Sequence, residues 1–594
     1  MRAAKRKRKK RLAASPRTTD GKECMWKLRK YLAHYKKEAF IAPLFKFFEA
    51  CLELLVPVMM AEMIDIGIAY NDLTYCWFIA AALVGFAVLG LACALVAQYY
   101  AAKAAHGYGT ELRSAMFAKI NSLSHAELDK AGMPALITRI TADVNQSEKG
   151  VNRFLRLFLR SPFIVLGALV ASMLVDWKLG LVFLGVTLIM GAFIWLIMAL
   201  TIPRNKKVQR ALEDLNGATR ENLAGVRVVR AFSRQEKELE DFSAKNERLV
   251  KMQSVLGVIS SLLNPVTYVF VNLGIVLVLW LGGGFVYRGA LTQGEISALI
   301  NYMSQILLAL VALANLIVVV ASGSASSERV YEVLQMCSSL REGTEENTEF
   351  PETVLEFRNV CFGYGEGGYA LENVSFSLRR GETLGVIGGT GSGKSTLVNL
   401  AQRFYDVNEG EIFVDGMDVK RYTFESLRKK FGVAPQKAVL FKGTVRDNIR
   451  WGKENATDEE ILSALDAAQM GDVLAGWDEG LDKEIEQGGR NLSGGQRQRM
   501  TVARAVVGKP EILVLDDSAS ALDYATDYRM RKAVAALGGT VIVISQRASA
   551  MRSADRILVL DEGHIAGEGT HEELLQTCEV YREICSSQMQ GGEK

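Results

Sequence analysis

The residues that offer the most chemistry per position are Gly388, Gly389, Thr390, Gly391, Ser392, Gly393, Lys394 and Ser395. A glycine, four residues, then Gly-Lys-Ser is a spacing that wraps phosphate oxygens. The glycines let successive backbone N–H groups turn toward one anion, and a helix opening at the loop adds the positive end of its dipole. Lys394 is placed to reach the outer phosphates of a nucleotide, and the Ser395 hydroxyl to hold Mg2+, with Thr396 following into the helix. The apolar run 383–387 predicts a buried strand before the loop, and the spacing of 396–404 predicts a helix after it.

Further residues extend this set. Leu492, Ser493, Gly494, Gly495 and Gln496 open a predicted helix whose first N–H groups form a second phosphate-facing N-terminus. The apolar strand 512–515 ends in Asp516, placed to hold Mg2+, and Asp517, placed to act on an attacking water. Another buried strand, 541–544, ends in Ser545, Gln546 and Arg547. Tyr364 lies upstream of the loop, where a ring can stack on adenine. Gln436, after the strand around Val433, is placed to ligate Mg2+ or position water. Neither Tyr364 nor Gln436 carries an assignment alone.

These residues need a scaffold, and the chain divides into two kinds of sequence. With 594 residues it exceeds a single core. Apolar residues concentrate before about residue 327 in long uncharged runs, which is the composition of membrane spans. Six are expected: within 40–70, 76–100, within 154–175 with Arg156 and Arg160 at its start, 179–202, within 255–287, and within 296–327. The connections after the first, third and fifth are short. Those after the second and fourth run to about fifty residues rich in Lys and Arg, and are expected to continue as helices beyond the bilayer. The positive-inside rule places these loops and both termini in the cytoplasm, for a multi-pass protein of the cell (inner) membrane. The expected divisions are a basic tail 1–37, a transmembrane domain 38–327, a linker 328–352 within a Ser-, Glu- and Thr-rich stretch starting at Ser322, and an α/β nucleotide-binding domain 353–594.

The net charge of +4 is small and does not point to nucleic acid. The basic run from Lys5 to Arg11 has no apolar stretch behind it, so it reads as a cytoplasmic tail rather than a signal peptide. Eight cysteines without a C-x-x-C pair read as reduced thiols. Glu49 and Glu53 fall inside the first apolar stretch near Lys46. Two readings stand: a site for a cationic substrate, or a Lys46–Glu49 pair with Glu53 facing the bundle interior.

Taken together, the phosphate loop, Leu492–Gln496, the Asp-ended strand and the preceding apolar runs resemble the ATP-binding cassette exporters. The likeness is to half-transporters that fuse a six-helix membrane domain to one nucleotide-binding domain, over residues 38 to 585. It implies that two such chains sandwich two ATP molecules. Each ATP then lies between the phosphate loop of one chain and the Leu-Ser-Gly-Gly-Gln segment of the other. Ser520-Ala521-Leu522-Asp523 matches the family's loop linking the two sites, Gln436 its glutamine loop, and Tyr364 its adenine-stacking aromatic. The segments 124–130 and 221–232 resemble the short helices that dock on the nucleotide-binding domains. Export of amphipathic compounds, lipids or peptides is the implied function.

Two positions depart from the family pattern. Its catalytic glutamate is here Asp517 and its switch histidine is here Gln546. Aspartate withdraws the carboxylate by roughly 1 Å, and misplacement on that scale costs about 10²-fold. Glutamine cannot carry an imidazole's proton. The expectation is an ATP site that binds more than it hydrolyses, in one half of a heterodimer whose partner's site is completed by Leu492–Gln496. A homodimer with two slow sites and an ATP-gated regulator that does not pump are the alternatives.

Overall fold

The computed structural model describes residues 27–590 apart from 348, 366, 519 and 520. The Lys5–Arg11 run, Cys24 and Ser520 lie outside the described residues. Two units are present. One takes the chain to Asn121 and Met133–Met336. The other takes Ser122–Gly132 together with the chain from Cys337 onward.

The first unit is helical. Five helical stretches are long and apolar enough to cross a membrane: Leu73–Asn121, Met133–Val175, Trp177–Ala224, Gln235–Tyr287 and Gln293–Gln335. The first expected span is also helical. It comprises α1 (Lys36–Glu62) and a π-helical turn, Met63–Ile68, and Lys46, Glu49 and Glu53 set its composition apart from the other five. Next come α2 (Leu73–Asn121), α3 (His125–Ala131), α4 (Val144–Leu157) and α5 (Arg160–Val175). Beyond them lie α6 (Trp177–Ala224), α7 (Val226–Ala231), α8 (Gln235–Ser261), α9 (Leu263–Tyr287) and α10 (Gln293–Gln335). The tight turn between α5 and α6 is made by Asp176, whose Oδ1 accepts the N–H groups of Lys178 and Leu179 at 2.9 and 3.0 Å. At 1.5 Å per residue, α2 and α6 each extend roughly 70 Å, more than twice the bilayer's apolar thickness of about 30 Å. The two long connections are therefore helical, as expected.

One sequence reading changes here. The Ser-rich stretch from Ser322 does not open a linker, because α10 continues through it to Gln335. The small residues serve close helix packing instead. Ser147 Oγ and Ser327 Oγ lie 2.7 Å apart, with the Tyr108 hydroxyl 3.0 Å from Ser147. A Cβ added to Gly150 would come within 3.2 Å of the Gly323 Cα, so α4 and α10 meet backbone to backbone. Arg329 of α10 pairs with the buried Asp143.

The second unit carries two main sheets. β1 (Thr353–Phe362) lies between β2 (Leu371–Arg379) and β4 (Glu409–Val414) in an antiparallel sheet, with the two-residue strand Met417–Asp418 at its edge. The larger sheet uses β3 (Thr383–Gly388), β5 (Phe431–Ala434), β6 (Ile512–Asp516), β7 (Thr540–Ile544), β8 (Arg556–Asp561) and β9 (His564–Gly569). Their order is β9-β8-β3-β7-β6-β5, parallel throughout except for the edge strand β9. The inner strands are almost wholly buried, which explains why they read as unbroken apolar runs rather than alternating ones. Parallel pairing places the C-terminal ends of β3, β5, β6 and β7 along one edge of the sheet. Loops leaving such an edge are where α/β folds bind ligands.

The short helix α3 belongs to this second unit. Its His125 ring lies over Phe404 with centroids 4.4 Å apart, and Asp129 accepts the Tyr405 hydroxyl at 2.6 Å. Ser124 and Glu127 hold the chain near Ser339. Burial and the neighbouring Asp129 carboxylate push the Tyr405 hydroxyl well above its usual pKa. The docking expected for segment 124–130 is thus present as a set of named contacts. Tyr405→Phe should remove about 1 kcal/mol, because Asp129 is exposed. Hydrogen exchange over 125–131 should then accelerate about fivefold with the phosphate loop unchanged.

Candidate functional site

The phosphate loop joins β3 to α11 (Lys394–Ala401), giving the strand–loop–helix order expected from the sequence. Two glycines there are obligatory for different reasons. Gly393 sits at φ +98° against Ala370 and Leu371, where a Cβ would lie 2.6 Å from the Ala370 carbonyl oxygen. Gly388 has the Leu560 carbonyl oxygen 2.1 Å from where a Cβ would stand. The Lys394 ammonium donates to the carbonyls of Gly388 and Gly389 at 3.0 and 2.6 Å and to Ser392 Oγ at 3.3 Å. Burial lowers its pKa, while Asp516 and Asp517 counteract that shift. The loop's own oxygens hold the cation until a more highly charged acceptor enters.

A cleft of about 370 Å³ opens beside the loop. Its lining includes Thr390, Gly391, Gly393, Lys394, Ser395 and Thr396 from the loop. Gln436 follows β5, Asp516 and Asp517 come from the end of β6, and Ser545 and Gln546 from the end of β7. Register brings these together: Ile544 faces Asp516 on one side and Val386 on the other. Asp517 turns off the strand at φ +44°, its N–H bonded to the Ile544 carbonyl at 2.9 Å. Tyr364 also lines the cleft, about half exposed, with its hydroxyl donating to Thr396 Oγ1 at 3.1 Å. Its ring meets Tyr405 edge-on at 5.2 Å.

Burial raises the pKa of Asp516, opposed by the Ser395 hydroxyl beside it and by Lys394. Burial likewise raises Asp517, with Arg547 and Gln436 pulling it back down. A half-buried carboxylate beside a hydroxyl, with a glutamine lining the same cleft, offers oxygen donors of the kind Mg2+ takes. Ser395, Gln436 and Asp516 fit that ion, which when bound would draw charge from phosphate oxygens.

Two predicted groups stand elsewhere in the unit. Leu492–Gln496 does not line the cleft. Ser493 caps α12 (Gly494–Val506), its Oγ accepting the Gln496 N–H at 3.2 Å while Gln496 Oε1 accepts the Ser493 N–H at 2.8 Å. Asp523 caps the helix Tyr524–Ala535, accepting from Thr526 N, and this bond lowers its pKa. Both N-termini are formed, and neither group lines the chain's own cleft.

Three residues were not singled out by sequence reasoning. Ala370 lines the cleft beside Gly393. Tyr405 joins Tyr364 to α3. Gln588, on the C-terminal helix α13 (Glu579–Gln590), grips the loop after β7. Its amide nitrogen donates to the Gln546 carbonyl at 2.7 Å, and its oxygen accepts the Ala548 N–H at 2.8 Å. No local pattern in the sequence marks any of the three.

Comparison with known proteins agrees with both units. Residues 39–310 match the ABC transporter transmembrane region and residues 371–520 the ABC transporter domain. The ABC transporter ATP-binding protein YfiB of Bacillus subtilis (strain 168) is 35% identical over 565 residues, covering 95% of this chain and 98% of that protein. An ATP-dependent lipid A-core flippase of Syntrophus aciditrophicus (strain SB) is 31% identical over 480 residues, 78% of each chain. Among solved structures, a bacterial Atm1-family ABC exporter with ATP bound shares the fold with a TM-score of 0.78 at 24% identity, covering 94% of this chain and 99% of that one. The chain is therefore a member of the ABC transporter family, a multi-pass membrane protein whose nucleotide-binding domain couples ATP hydrolysis to transport.

Proposed function

We propose that this chain is the hydrolysis-impaired half of a heterodimeric exporter of amphipathic small molecules, lipids or peptides. The observation that carries this reading is the presence of both departures, Asp517 and Gln546, on the walls of one cleft that is otherwise complete. In that cleft Tyr364 stacks the adenine, Gly388–Thr396 and Lys394 hold the phosphates, and Ser395, Gln436 and Asp516 hold Mg2+. Asp517 reaches short of the attacking water and Gln546 binds without transferring a proton. Leu492–Gln496 and Asp523 serve the partner's ATP, which is why they stand apart from the chain's own cleft.

The membrane half would consist of six spans, counting α1, with both termini cytoplasmic in the cell (inner) membrane. ATP closes the paired nucleotide-binding domains, closure favours an outward-open cavity, and hydrolysis in the partner's site resets it. Leu223, Val228 and Phe232 on the second long connection are exposed, which supports docking of segment 221–232 on the partner. Relatives named as lipid A-core flippases favour an amphiphile as cargo.

Purification of the tagged chain from its native membrane, followed by nucleotide trapping, tests the reading. A second half-transporter should co-purify, and hydrolysis products should accumulate at one of the two sites. Equal, fast turnover in two identical pockets of a self-paired molecule overturns it.

A further inference from the structure

The ionisable residues of the first span do not stand alone in the structure. Lys46 Nζ and Glu49 Oε2 lie 2.5 Å apart, Arg160 Nη2 donates to Glu53 Oε2 at 2.7 Å, and Arg160 Nε approaches Glu49 Oε1 at 3.6 Å. Arg160 opens α5, while both glutamates belong to α1. Counting helical rise, Arg160 stands about 24 Å from the Asp176 turn and Glu53 about 27 Å from the turn at Asn71. Both counts place the cluster within the apolar layer, in the leaflet farther from those turns.

Three observations make this more than a clasp between helices. First, the backbone hydrogen-bond ladder breaks at Phe158 and Leu159, immediately before Arg160, while both residues keep helical dihedrals. Pro162 has no N–H to offer the Phe158 carbonyl, which accounts for the break. A helix carbonyl deprived of its donor at bilayer depth is tolerated inside protein or beside a watery cavity. Second, Ser161 Oγ, Gln305 Oε1 and Arg160 Nε are buried with no hydrogen-bond partner, although Gln305 Nε2 reaches the Glu53 carbonyl at 3.1 Å. Third, the Glu53 side chain is 36% accessible while paired, so its carboxylate has an open side. A charge at this depth faces a polar interior rather than lipid.

We infer that Glu53 and Arg160 form a headgroup subsite on the transport path that takes a zwitterionic amphiphile, one bearing an ammonium next to an anionic group. An anion that captures Arg160 strips Glu53 of its partner, and a cation that captures Glu53 strips Arg160. Either leaves an uncompensated ion in a poorly solvated place. A dipolar headgroup gives each residue an opposite charge at once, and its remaining polar atoms find Ser161 and Gln305. The inference rests on the export of amphiphiles proposed above and names the headgroup.

Isothermal titration of the purified full-length transporter, without nucleotide, tests it with dodecyl phosphoethanolamine, dodecyl phosphate and dodecylammonium. The zwitterion should bind about tenfold more tightly than either singly charged probe. Glu53→Gln should shift the preference to dodecyl phosphate, and Arg160→Gln to dodecylammonium. The double variant Glu53→Gln/Arg160→Gln leaves no unpaired ion, so it should fold and bind all three alike. Equal binding of the probes to the unaltered protein, uniform weakening in both single variants, or a zwitterion preference that survives the double change overturns the subsite. In nanodiscs, competition by phosphatidylethanolamine supports the subsite with a bilayer lipid as its source, and absence of competition supports it with a free amphiphile. Because binding is read without ATP, absence of transport leaves this result standing, and a failed preference leaves export standing.

Discussion

Asp517→Glu combined with Gln546→His should raise ATP turnover in this chain's cleft by about 10²-fold. The added methylene carries the carboxylate roughly 1 Å farther from β6. The backbone there is held by the Asp517 N–H bond to Ile544, so the extra reach goes into the cleft. The imidazole supplies a group that can hold and return a proton near neutral pH. Each single change should recover less than the pair, because a well-placed carboxylate and a competent switch residue act on the same water. Single-turnover hydrolysis of labelled ATP by the full-length protein measures this directly. A double variant no faster than the original would show that the slow step lies elsewhere.

The second large effect is an asymmetry between two motifs in one chain. In the assembled transporter, Ser493→Arg should lower steady-state ATPase by 10² or more, on the order of losing a key phosphate-facing donor. Lys394→Ala should cost only a few-fold, because on the proposed reading it empties the pocket that contributes less of the hydrolysis. Ser493 also caps α12, worth about 1 kcal/mol. Ser493→Asn, which keeps a capping side chain, separates loss of the cap from loss of the phosphate contact. In a homodimer both changes would strike every site, and Lys394→Ala would be the more damaging of the two.

The legible parts of this molecule are those whose cause is local. The phosphate loop needs only about twenty consecutive residues, from β3 through α11, and its glycines announce the positive φ values that the turn requires. Asp516, Gln436 and Gln546 meet on one cleft because buried parallel strands, which read as apolar runs, deliver whatever follows them to one edge. The Ser-, Glu- and Thr-rich stretch from Ser322 reads as linker because such residues are common in loops, yet here Gly323 and Ser327 are small enough for α4 and α10 to touch. Two other pairings depend on residues far apart in the chain. Tyr405 meets Asp129 across 276 positions and Arg160 meets Glu53 across 107, and neither distance leaves a trace in the intervening sequence. The sequence offered two readings for Glu53, and neither named Arg160.

Gln588 holds the segment after β7 by its main chain, through the carbonyl of residue 546 and the N–H of residue 548. Whatever side chain stands at 546 inherits the same perch. In the genetic code glutamine and histidine differ by one third-position base, as do aspartate and glutamate. On the proposed reading, a lineage carrying this chain is therefore two point changes from the glutamate and histidine of a hydrolysing site, with the main-chain hold on the loop unaltered.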